Sequence, residues 1–142
     1  MKYTQIKKYK YCLAEDFTMV LPYDFGVGEF DWAIILGTSI TIKRGYCWDG
    51  ASGGCPDFKS IMRGALVHDA LYQMIRLKVI DINMRLIADE VLYECCIEDG
   101  MYKLVAKTVK KAVNTFGGVW INKGDAVPKV ITLDFTPKST AA

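Results

Sequence analysis

The apolar residues of this chain change their repeat once, from about two residues to about 3.6, and the change falls near Pro56. A segment whose apolar side chains alternate can hide them only as a strand with one wet face. One whose apolar side chains recur at three and four residues hides them only as a helix. Residues 1–48 carry tyrosines, β-branched residues and turn signals at Pro22, Gly26-Val27-Gly28, Gly37 and Gly45. Within them 39–43 alternate polar and apolar, and 32–36 are expected as the hairpin partner. Three helices are expected beyond Pro56, over about 57–77, 83–98 and 103–116. Pro56 suits the first turn of the first helix, Asp99-Gly100 the end of the second and Gly117-Gly118 the end of the third.

The third helix gathers Leu104, Val105, Thr108, Val109, Ala112, Val113 and Phe116 on one stripe, which is expected to face the core. Lys103, Lys107, Lys110 and Lys111 lie opposite, read as a solvated face before a phosphate-binding strip. Residues 127–135 alternate weakly and are expected to return as a strand, with 136–142 as a polar tail. The expectation is an α+β fold: a small antiparallel sheet of N-terminal strands plus that C-terminal strand, packed on three helices. At 142 residues the chain is expected to form one domain: β-rich 1–48, a glycine-rich loop 46–56 and helices within 57–118.

Composition narrows the function classes. Hydrophobic residues are 51% and charged residues 24%, near the globular average, which excludes a disordered or low-complexity chain. A net charge of +2 gives no global field for nucleic acid. The longest apolar run, 32–37, falls far short of the roughly 20 residues of a membrane-spanning helix, and the lysines and tyrosines of 1–10 leave no signal-peptide stretch. Cys12, Cys47, Cys55, Cys95 and Cys96 are odd in number and contain no C-x-x-C, so reduced thiols in a cytoplasm are expected rather than a disulfide framework or a zinc site.

Reactive side chains gather in one place. His68 and Asp69 lie mid-helix, with Tyr72 one turn on. Asp89 interrupts an otherwise apolar face of the second helix. If the two helices pack antiparallel, Asp89 comes level with His68 and can accept the Nδ1 proton, leaving Nε2 free as a general base. The plainer reading is a structural histidine whose burial is offset by an aspartate. The loop Trp48-Asp49-Gly50-Ala51-Ser52-Gly53-Gly54 lies just upstream, and its carbonyls with one carboxylate would suit a hard cation such as calcium.

Two resemblances follow from these residues. The ordered series Trp48-Asp49-Gly50-Ala51-Ser52, Ala65-Leu66-Val67-His68-Asp69-Ala70-Leu71-Tyr72, Ala88-Asp89 and Phe116-Gly117-Gly118-Val119-Trp120 resembles a family of phage and prophage proteins that carries no established activity. It implies a bacteriophage-encoded protein, in the host cytoplasm or the virion, whose partners are other phage proteins or further copies of itself. More narrowly, His-Asp-x-x-Tyr, an aspartate about 20 residues on and a glycine-rich loop upstream are similar to the calcium-dependent secreted phospholipases of the A-two class. That likeness implies His68 as the base activating water, Asp89 orienting it and Tyr72 steadying the pair. It also implies Ca2+ held by Asp69, Asp49 and the loop glycines Gly50, Gly53 and Gly54, with a lipid or other ester as substrate. The rival expectation is a non-enzymatic virion or assembly protein in which the same residues only stitch loop to helices.

Overall fold

The computed structural model describes residues 1–6, 11–51 and 56–122. Among the described residues seven short strands precede the helices: β1 Tyr3–Gln5, β2 Tyr11–Leu13, β3 Phe17–Val20, β4 Val27–Phe30, β5 Ala33–Leu36, β6 Ser39–Ile42 and β7 Cys47–Trp48. They form two antiparallel sheets, ordered β1-β2-β7 and β3-β6-β5-β4, rather than one. The expected hairpin is present, with Leu36 opposite Ser39 and Ala33 opposite Ile42 across a two-residue turn at Gly37-Thr38. Alternation does its work here: Ala33, Ile35, Ile40 and Ile42 are buried while Leu36 points to solvent. The C-terminal strand expected over 127–135 and the tail 136–142 lie outside the described residues.

The helices are α1 Lys59–Arg76, α2 Arg85–Glu98 and α3 Lys103–Asn122, so the α+β expectation holds. Pro56 stands ahead of α1 instead of in its first turn, and a 3₁₀ turn over Ile82–Met84, capped by the Asp81 carboxylate on the Asn83 amide, leads into α2. α1 is buried on nearly every side, because α2 and α3 cover it and β7 packs against it. It crosses α2 antiparallel: Gly64 meets Leu92 and Cys95 at one end of the contact, and His68 and Tyr72 reach Asp89 further along.

Two expectations about α3 fail for packing reasons. The helix does not stop at Gly117-Gly118 but runs through both to Asn122. Glycine costs a helix about 1 kcal/mol, which tertiary contact can outweigh, and at Gly117 α3 packs directly on the Tyr72 ring of α1. A Cβ there would fall on the Tyr72 hydroxyl and stand 3.0 Å from the Arg85 guanidinium. The buried side of α3 is Ala106, Val109 and Gly117, with Val113 and Ile121 packed at its edge, whereas Leu104, Val105 and Phe116 are exposed.

The cysteine expectation also requires correction. Cys12 and Cys47 face each other across β2 and β7, with Cα atoms 4.0 Å apart, and are joined as a disulfide. A 35-residue separation hid the pairing, which exists only once β7 is laid beside β2. Cys95 and Cys96, both buried in α2, are thiols outside any disulfide.

A buried His–Asp–Tyr centre between the helices

Asp89 is fully buried, an expensive position for a carboxylate unless donors surround it. Three groups converge on it. His68 Nε2 lies 2.7 Å from Oδ1, and the Tyr72 hydroxyl donates to the same oxygen at 2.5 Å. The Arg85 guanidinium, one turn earlier on α2, stands 3.7 Å from Oδ2. Oδ2 itself accepts no hydrogen bond among the described residues. Arg85 also donates to the Asn114 carbonyl at 3.3 Å, which ties α3 to the same centre. The His68 and Tyr72 rings stack at a tilt, centroids 4.1 Å apart.

His68, Tyr72 and Asp89 are thus brought together as the sequence suggested, but through the other imidazole nitrogen. Asp89 holds Nε2 rather than Nδ1. The reason is directional: side chains on α1 lean toward its N-terminus, and the ring reaches α2 with its far edge. Nδ1 is left on the side of Asp69, whose Oδ1 is 3.9 Å away, beyond direct hydrogen-bond range.

Burial alone would push the His68 pKa down, but Asp69 and Asp89 together outweigh it and hold the imidazole above its ordinary value. Asp69 is also raised, chiefly by burial and further by Asp49, against the lowering effect of His68 and Arg76. The Tyr72 hydroxyl is raised by burial and by the carboxylate it donates to, so it stays a donor. Tyr46, buried near Asp69, is raised well above the phenol value by burial, and the Asp69 charge adds to this.

The loop residues divide. Gly50 (φ +74°) turns the chain beside Asp57, and a Cβ there would meet the Asp57 carboxylate and the Tyr11 ring. Asp57 accepts from the Ala51 amide at 2.9 Å and from the Tyr11 hydroxyl at 3.0 Å, clamping the start of the loop to β2. Trp48 is buried against Tyr3 and Tyr11, and its indole N–H finds no acceptor among the described residues. Gly53 and Gly54 lie outside the described residues. Among the described residues no group of three or more His, Cys, Asp or Glu side chains could hold a metal. Of the expected shell, the Asp49 charge adds to the raised pKa of Asp69.

Sequence reasoning missed Arg85, Asn114 and Gly117. Arg85 carried a signal, four residues before Asp89 and so on its face of α2. Asn114 and Gly117 carried none, because only the docking of α3 makes them neighbours of Tyr72 and Arg85. No family model, curated protein or solved structure was found to match the chain, and no described helix is long and apolar enough to cross a membrane.

Proposed function

We propose that this is a phage-encoded, virion-associated protein whose His68 centre hydrolyses an ester with the help of calcium. The observation carrying the reading is the orientation of the imidazole. With Nε2 occupied by Asp89, the remaining nitrogen, Nδ1, lies on the side of Asp69, a carboxylate that the buried network does not consume. In that arrangement Asp89 fixes the tautomer, Tyr72 and Arg85 hold Asp89, and Nδ1 takes a proton from water beside Asp69. The oxygens of Asp69, Asp49 and the adjoining loop backbone are hard donors, which fit calcium by chemistry. Bound there, calcium would polarise the scissile carbonyl. The Cys12–Cys47 pairing favours a virion surface over a reducing cytoplasm.

The competing reading is a non-enzymatic assembly protein in which the centre only joins α1 to α2. It is favoured by the complete burial of Asp89 and by the want of three clustered metal-ligating side chains among the described residues. Hydrolysis of short- and long-chain acyl esters, with calcium and with a chelator, separates them. Under the enzyme reading His68→Ala loses about 10²–10⁴ in rate, and Asp69→Asn reproduces the effect of the chelator. Under the other reading no ester is cleaved, and calcium changes neither melting temperature nor heat of binding.

A further inference from the structure

α3 carries a surface that no other described element covers. Its buried side is Ala106, Val109 and Gly117, with Val113 and Ile121 packed at the edge, while other apolar residues face water: Leu104 is 78% exposed, Phe116 59% and Val119 56%, with Val105 and the preceding Tyr102 also exposed. At about 100° per residue, Leu104, Thr108, Ala112, Thr115, Val119, Val105 and Phe116 share an arc of about 120°. Lys103, Lys107 and Lys111 occupy the arc beside it and are exposed. None of the three pairs with a carboxylate among the described residues, whereas Lys110, on the buried edge, pairs with Glu90. The 20-residue helix contains no Asp or Glu.

We infer that this face of α3 docks on an anionic lipid bilayer, the apolar arc entering the headgroup boundary and the three lysines meeting lipid phosphates. Charge decides the occupant. A second copy packing antiparallel on this face would set its three lysines beside these three, and a nucleic acid would leave the adjoining apolar side chains in water. A bilayer with anionic headgroups satisfies both arcs of the same helix at once. The inference rests on α3 alone and stands whether or not His68 is catalytic.

The test is co-sedimentation of the full chain with vesicles of phosphatidylcholine and with an equimolar mixture of phosphatidylcholine and phosphatidylglycerol. The expected result is binding to the mixed vesicles, weak binding to phosphatidylcholine alone, and loss of binding as salt is raised. The triple change K103Q/K107Q/K111Q should weaken partition on the order of a hundredfold. L104S/F116S should weaken it at least tenfold while leaving ester hydrolysis in free solution and the melting temperature unchanged, since both side chains are exposed. Equal binding to both vesicle types, or binding indifferent to these variants, overturns the inference. So does a concentration-dependent dimer that L104S/F116S dissociates, or duplex DNA bound as tightly as the mixed vesicles.

Discussion

His68 is the sole histidine of the chain, so its protonation can be followed without assignment ambiguity. Because two carboxylates outweigh its burial, its imidazole NMR signals should titrate with a midpoint above 6.5, and Asp69→Asn should move that midpoint down. The sign of the linkage follows. A folded pKa above the unfolded one stabilises fully at pH below the unfolded value, and that contribution is lost as pH rises through the folded value. The melting-temperature gap between the wild-type protein and His68→Gln should therefore narrow between about pH 6.5 and the folded midpoint, and a gap that widens there would contradict the network. Tyr72→Phe removes one of the two hydrogen bonds to Asp89 Oδ1 and should cost about 1.5–3 kcal/mol in chemical denaturation.

Packing between elements makes sharper demands than the side chains do alone. Gly117→Ala would gain about 1 kcal/mol of helix propensity on an exposed helix, but here the new methyl collides with the Tyr72 hydroxyl. Overpacking costs of about 1–3 kcal/mol should win, and a variant more stable than the wild type would show that α3 does not seal the centre. The disulfide acts on another pair of elements, β2 and β7, and β7 leads straight into the loop carrying Asp49 and Gly50. Closing a loop of 35 residues is worth about 2–4 kcal/mol. Reduction, or Cys12→Ser, should lower the denaturation midpoint accordingly, and no change would mean the thiols are unpaired in solution.

At the scale of the whole molecule, α1 is the common wall. It contacts both other helices and β7, and its buried residues extend from Ile61 to Ile75. Its central amides should be the slowest to exchange in hydrogen-exchange measurements, while β1 and the exposed face of α3, with few buried contacts, should exchange first. Exchange in α1 as fast as in β1 would mean that the helices open independently of the sheets.

Local patterning was legible wherever one face of an element had to be wet. The β5–β6 hairpin, the three helices, the α+β class and the meeting of His68, Tyr72 and Asp89 all follow from periodicity and from the cost of burying polar groups unpaired. What periodicity does not carry is which elements lie side by side. The division of the strands into two sheets, the Cys12–Cys47 pairing, the passage of α3 through Gly117 and the outward turn of Leu104 and Phe116 each depend on a neighbour distant in sequence. The same holds for the imidazole. The chain determines that His68 needs a carboxylate, but only the relative placement of α1 and α2 decides that Nε2 is the nitrogen that meets it.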